Sequence, residues 1–287
     1  MREVDKTRML EPFAPSFASW NVLADRYSRR QNVEDKKEKY ANVCDIVFGI
    51  LDEKSVVGSC VFLQEVEPLL HAALVERKNE TVPRRHHVYC VPHGDSVWPV
   101  DECPWSLTSP KGWSGTSTDN VGNAIILNIG YSDHPLIIEE RYSLDEQYSS
   151  SGEPEGNIAA VIRWGERMYI SAHLCTLWSP WCHHRQIQRL RQFLDSNRPV
   201  VIGADLNSPC VFARTGRPRT WPLWPCPMLA IDSIISNSIV DLSAVKEWTE
   251  TKNGRFSDHI GVRCYEYKGL YRASDYAAKK WEILLCR

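Results

Sequence analysis

The sequence predicts an α/β fold of mixed sheets covered by helices. Short apolar runs rich in β-branched and aromatic residues outnumber the amphipathic stretches. Helical stretches nevertheless fall between those runs. Several strands also follow one another directly, which the regular strand-helix alternation of an eightfold barrel does not allow.

The elements follow in chain order. "FASWNVLA" (17–24) reads as a strand. In "EDKKEKYANVCDIVFGILDE" (34–53), Tyr40, Val43, Ile46, Val47 and Ile50 recur at spacings of three and four, the mark of an amphipathic helix. "SCVFLQEVEP" (59–68) reads as a buried strand, with Pro68 and "LLHAALVERK" opening a second helix. "HHVYCVP" and "NAIILNIG" are strands. "NIAAVIRWGERMYISAHL" (157–174) is a hairpin turning at Gly165 and Glu166. "HHRQIQRLRQFLDS" (183–196) is a helix with Ile187, Leu190 and Leu194 on one face. "RPVVIGA", "IDSIISN" and "HIGVRCYEY" complete the strands. The Pro-, Trp-, Ser- and Gly-rich stretch 94–119 and the segment 148–156 read as insertions, so residues 1–287 are expected to form a single domain.

Bulk composition is that of a soluble globular chain, 43% hydrophobic and 24% charged. A formal net charge of -2 argues against a polycation that grips duplexes nonspecifically. The ten cysteines are scattered and form no Cys-x-x-Cys pair, so neither a zinc site nor a disulfide framework is expected. No apolar signal core opens the sequence and no run is long enough to span a membrane. The expectation is an intracellular protein, cytoplasmic or nuclear, with no membrane insertion.

The strand ends carry the chemistry. Asn21 lies in the first strand, Gln64 and Glu65 end "VFLQE", His173 ends "YISAH", and Asp205 and Asn207 end "VVIGADLN". Asp232 opens "IDSIIS", and Asp258 with His259 opens the last strand. Any one of these reads as a cap or a turn residue. As a set they read differently, because strand ends on one side of a layered α/β domain converge in space. Carboxylates and amides form hard oxygen sites suited to magnesium, and a histidine beside a carboxylate supplies an oriented acid or base. Together they are the parts of metal-assisted phosphoester hydrolysis. The sequence has no Ser or Cys nucleophile on a strand-turn-helix elbow and no Gly-rich phosphate loop, which disfavours acyl transfer and ATP use.

The motifs "SWN", "LQEV", "GNAI", "SAHL", "GADLN", "ID-x-I" and "SDH" occur in the order of the endonuclease/exonuclease/phosphatase superfamily. The resemblance covers residues 17 to about 267. It implies a four-layered, DNase I-like α/β sandwich, with two mixed sheets packed face to face and flanked by helices. By position it implies Glu65 as the principal ligand of a magnesium ion, with Asn21 and Asp258 close by, and with manganese as a substitute. It implies Asp205 as the residue that orients or deprotonates the attacking water, and Asn207 as a holder of a phosphate oxygen. His259 is implied as a contact to the scissile phosphate, its imidazole held by Asp232, and His173 as a second phosphate contact. Two departures stand out. Ala204 separates Gly203 from Asp205 where the superfamily has Gly-Asp, and Ser171-Ala172 precedes His173 where it has Asn-Thr.

"SWNVLADRYS" and "SAHLCTLWSPWCHHRQIQRLRQFL" are most similar to the deadenylase branch that includes nocturnin and Angel proteins. The resemblance implies a 3′-to-5′ exoribonuclease with single-stranded RNA as its partner. Trp178 and Trp181 after His173, and Trp221 and Trp224 after Asn207, are candidate stacking platforms for unpaired bases. Packing in the core is their other reading. Arg214, with Arg217 and Arg219, is a candidate backbone contact in "ARTGRPR", or else part of a solvated loop. Three alternatives stand beside this reading: the same fold acting on abasic or 3′-blocked DNA, a phosphoinositide or a dinucleotide phosphate; a catalytically inactive RNA- or protein-binding scaffold; and a subunit that needs partners the sequence does not identify.

Overall fold

The computed structural model describes residues 15–22, 33–53, 56–80, 85–93, 121–130, 136–144, 157–175, 180–207, 232–237, 240–244, 250–251, 254–255 and 262–266. Of residues 33–36, 180, 232–233 and 240 onward only the backbone is described, Arg263 excepted.

The first sheet is six-stranded. It contains β1 (Ser16–Asn21), β2 (Cys60–Val66), β3 (His86–Pro92), β4 (Gly122–Asn128), β10 (Val240–Ala244) and β13 (Val262–Glu266), in the order β10-β13-β1-β2-β4-β3. The second is five-stranded: β5 (Ile137–Ser143), β6 (Ile158–Trp164), β7 (Arg167–His173), β8 (Val200–Asp205) and β9 (Asp232–Ser236), in sequence order. Each sheet is mixed, with β1 and β2 parallel in the first and β7 and β8 parallel in the second. A small ribbon pairs β11 (Glu250–Thr251) with β12 (Gly254–Arg255). Helices α1 (Val33–Asp52) and α2 (Pro68–Glu80) pack with the first sheet, and α3 (Pro180–Leu194) packs with the second.

The layers follow from side-chain alternation along each strand. Phe17, Cys60, Phe62, Ile125, Leu127, Ile162, Tyr169, Val201 and Ile234 meet between the sheets. Their neighbours Ala18, Trp20, Val61, Leu63, Ala124 and Ile126 turn instead to α1 and α2. In the second sheet Val161, Ile170, Ala172, Ile202, Ala204 and Ile235 turn to Ile187, Leu190 and Leu194 of α3. The four-layered sandwich expected from the motifs is the architecture found. Among the described residues no helix is long and apolar enough to cross a membrane.

Three differences from the sequence reading have physical causes. The third helix opens at Pro180, upstream of His183, because proline suits the first helical position, where no backbone donor is needed. The edge strand β5 escaped notice because "IIEERYS" is half exposed and carries no clean apolar alternation. Strand β10 is short and also lies at an edge. The stretch 94–119 and the segment 148–156 lie outside the described residues.

Candidate functional site

The inward alternation of three strands ends in a polar side chain. In β1 the inward positions run from Phe17 through Ser19 to Asn21, in β7 from Tyr169 through Ser171 to His173, and in β8 from Val201 through Gly203 to Asp205. Where the apolar layer between the sheets stops, these three residues meet. The register sets His173 beside Asp205, and the backbone of Asp205 beside that of Asp232.

Glu65 breaks the alternation. Counting from Val61 and Leu63, it would face the helices. Between Leu63 and Val66, however, β2 carries one residue more than β4, a β-bulge. Glu65 adopts φ 55°, a left-handed conformation costly for a residue with a Cβ. Its carboxylate thereby joins the inward set. Asn21 Nδ2 lies 3.0 Å from Glu65 Oε1 and 2.8 Å from Asp205 Oδ2. One amide thus binds carboxylates from both sheets.

Behind the bulge, the buried Gln64 ties the sheets together. Its Nε2 reaches Ser171 Oγ at 3.2 Å and the Gly203 carbonyl at 3.4 Å, while Ser171 Oγ donates to the Leu63 carbonyl at 3.0 Å. This accounts for the departure at Ser171, whose small hydroxyl forms part of the tie. Gly203 is accounted for as well, because a Cβ there would overlap the ring of Phe62. Ala204 turns outward to the α3 side, so Asp205 keeps the inward parity of Gly203.

The turn after β8 is held from several directions. Asp205 Oδ1 accepts from the Asn207 backbone N–H at 2.9 Å, and Leu174 N–H donates to the Asp205 carbonyl at 2.9 Å. Asn207 has φ 48°, a conformation asparagine tolerates better than most residues. Its Nδ2 donates to the Leu174 carbonyl at 2.7 Å and also meets His173 Nε2 at 3.0 Å. The His173 nitrogen also stands 3.4 Å from Asp205 Oδ2 and 4.0 Å from Glu65 Oε1. The carboxylates would favour a proton on that nitrogen, whereas the amide requires an acceptor. The amide cannot be reversed, because the same nitrogen serves Leu174, so the shorter contact assigns Nε2 as an acceptor and puts the ring proton on Nδ1.

Helix α3 supports both loops. The fully buried His183 donates from Nε2 to the Leu206 carbonyl at 2.8 Å, and Gln186 Oε1 accepts from the Cys175 N–H at 2.8 Å. Sequence reasoning missed both residues, since an inward-facing His or Gln on a helix reads as an ordinary polar position. The rim also holds His93, just after β3, with its ring centroid 6.3 Å from that of His173.

Of the site residues expected from sequence, the structure brings together Asn21, Glu65, His173, Asp205 and Asn207. Asp232 is placed by its backbone alone. Asp258, His259, Trp178, Trp221, Trp224, Arg214, Arg217 and Arg219 lie outside the described residues. Among the described residues no group of three or more His, Cys, Asp or Glu side chains stands in metal-ligating arrangement. The donor set present still fits a hard divalent ion, since magnesium takes one or two carboxylates and completes its shell with water and substrate phosphate.

No protein-family model matches the sequence, and no curated protein matches it. Solved structures do match. An endonuclease/exonuclease/phosphatase family protein from Leptotrichia buccalis aligns at a TM-score of 0.55 and 14% identity, over 88% of this chain and 100% of that one. This chain has the endonuclease/exonuclease/phosphatase fold. The human nocturnin catalytic domain, solved with a bound sulfate anion, aligns at a TM-score of 0.53 and 14% identity, over 89% of this chain and 94% of that one. TDP2 from D. rerio, complexed with a single-strand DNA product, aligns at 0.53 and 16% identity, over 88% and 99%. The resemblance carried by the sequence motifs is thus borne out in the fold.

Proposed function

We propose that the chain is a divalent-metal-dependent phosphodiesterase acting on nucleic acid, and that its substrate is the 3′ end of single-stranded RNA. One observation carries the first part: carboxylates from opposite sheets, Glu65 and Asp205, converge on the single amide of Asn21. Two buried carboxylates bridged in this way offer oxygen ligands to a hard cation. A bound magnesium would neutralise phosphate charge and polarise the phosphoryl group.

The residues divide the remaining work. Glu65 and Asn21, with Asp258, would hold the ion. Asp205 orients the attacking water and accepts its proton. With phosphate bound, Asn207 would exchange its 3.0 Å bond to His173 for one to a phosphate oxygen, and His173 would donate beside it. His259 contacts the scissile phosphate, with Asp232 fixing its tautomer.

The RNA reading is supported by the motif similarity to the deadenylase branch, by the alignment with nocturnin, and by Trp181, which opens α3 and is 81% exposed. An exposed indole near such a site can stack an unpaired base. The D. rerio TDP2 complex with single-strand DNA product favours a second reading, single-stranded DNA.

The test is digestion of 3′- and 5′-labelled RNA and DNA oligomers in magnesium or manganese, with abasic duplex and a soluble inositol phosphate in parallel. Stepwise shortening of oligo(A) from its 3′ end, lost in chelator and in Glu65→Gln, is expected. Full activity in that variant or in excess chelator refutes the mechanism. Preference for one of the other substrates refutes the RNA assignment alone.

A further inference from the structure

Strands β6 and β7 part company at the site. Their pairing runs from Trp164↔Arg167 to Ala160↔Ser171 and stops there, although both strands continue. Beyond that point Ile158 and Ala159 pair with β5, and Ala172 and His173 pair with β8. Continuing the interrupted register by two residues would set Ile158 opposite His173. The second sheet is therefore split at the rim, and His173 stands on one lip.

Two side chains, one from the first sheet and one just past its strand β3, grip the other lip. The backbone N–H of Ile158 donates to His93 Nδ1 at 3.2 Å, and Asn123 Nδ2 donates to the Ile158 carbonyl at 2.5 Å. His93 and Asn123 are both buried, and both follow the inward parity set by Val91, Ile125 and Leu127. A backbone N–H can only donate, so Nδ1 of His93 is an acceptor and a neutral ring carries its proton on Nε2. The His93 backbone is itself tied to Val121 at 2.9 Å. The two imidazoles stand 6.3 Å apart, their planes inclined at 58°.

We propose that His93 is a positioning residue: with Asn123 it clamps Ile158, holds the split open and fixes where the His173 imidazole stands. The role rests on the phosphodiesterase reading, in which His173 contacts phosphate. A side chain that positions another acts on turnover more than on binding, because misplacement of about 1 Å can cost on the order of 10²-fold in rate.

Three substitutions separate this role from its alternatives. His93→Leu removes the acceptor, His93→Asn retains one near the position of Nδ1, and His93→Gln moves the polar group towards that of Nε2. For His93→Leu the expected result is a kcat about 10²-fold lower, with KM within about threefold of the parent. His93→Asn should recover most of the turnover and His93→Gln should not. Wild-type turnover in the Leu variant, or rescue by Gln and not by Asn, overturns the proposal. If the Leu variant does not fold, the Asn and Gln pair decides.

A second readout needs no turnover. Long-range proton-nitrogen NMR of the imidazoles, with His173 assigned through His173→Gln, should show its tautomer pattern altered in the poorly clamping variants and parent-like in His93→Asn. An unchanged His173 signature in every folded variant overturns the clamp. If the parent cleaves no phosphodiester, the functional reading fails, and the NMR comparison still judges the clamp.

Discussion

Asn21 and Asp205 are 184 residues apart in sequence and lie on different sheets, yet the amide of one donates to the carboxylate of the other at 2.8 Å. The same nitrogen serves Glu65 at 3.0 Å. Asn21→Ala should leave the two carboxylates unbridged. The expected result is a loss of at least about 10- to 100-fold in metal affinity or activity, because the amide that would help hold the ion also orients its carboxylate ligands. Initial rates across a magnesium titration check it, and an unchanged metal requirement contradicts it.

Glu65, the proposed metal ligand, has a left-handed backbone conformation. Glycine adopts that conformation without the steric cost of a Cβ, worth about 1–2 kcal/mol per residue. Both Glu65→Gly and Glu65→Ala should be inactive, yet the glycine variant should be more stable than the alanine variant by about 1 kcal/mol. Urea denaturation of the pair measures the difference. Equal midpoints would show that the bulge relaxes when its side chain is cut back.

Gly203 has no room for a methyl group beneath the Phe62 ring. Gly203→Ala should destabilise the sandwich by about 1–3 kcal/mol, the usual range for overpacking a filled core. Because Gly203 accepts from Gln64 and sits two residues before Asp205, activity should fall as well. All three atoms nearest the new methyl belong to the Phe62 side chain, so the double variant Gly203→Ala/Phe62→Gly should be less destabilised than the sum of its single variants, read as the non-additive remainder of a double-mutant cycle.

His71 on α2 is buried, and desolvation pushes its pKa from 6.5 down to about 4. The unfolded chain therefore binds a proton between those values while the folded chain does not. Stability from this group is fully present above pH 6.5 and falls as pH drops towards 4. Replacing His71 with Gln should flatten the dependence of the urea midpoint between pH 7.5 and 4.5. A curve of unchanged steepness would locate the acid sensitivity elsewhere.

Much of this site was legible because the period of a strand is two. Phe17, Tyr169 and Val201 mark one face, and Asn21, His173 and Asp205 fall on it four residues further along their strands. Glu65 was legible as a polar strand end but not in its direction. Simple alternation sends it towards α1 and α2, and no local signal announces the bulge that turns it back. His93 was missed because it follows Pro92 and precedes "GDS", so it reads as the beginning of a polar loop. Its partner, the Ile158 peptide, lies 65 residues away, and only the split between β6 and β7 creates the need for an acceptor there. The ties made by Gln64, His183 and Gln186 were hidden for the same reason: each bonds a backbone group that local periodicity cannot place.

The row of inward residues has an evolutionary consequence. Each polar group occupies the last inward step of its strand, beyond the apolar layer that joins the sheets. Substitutions at those steps can alter chemistry without repacking the interior. A one-residue insertion within β1, β7 or β8 would do the reverse, exchanging the inner and outer faces and removing the polar group together with the layer beneath it. Lineages sharing this architecture should therefore tolerate exchange at the rim far more readily than changes in strand length.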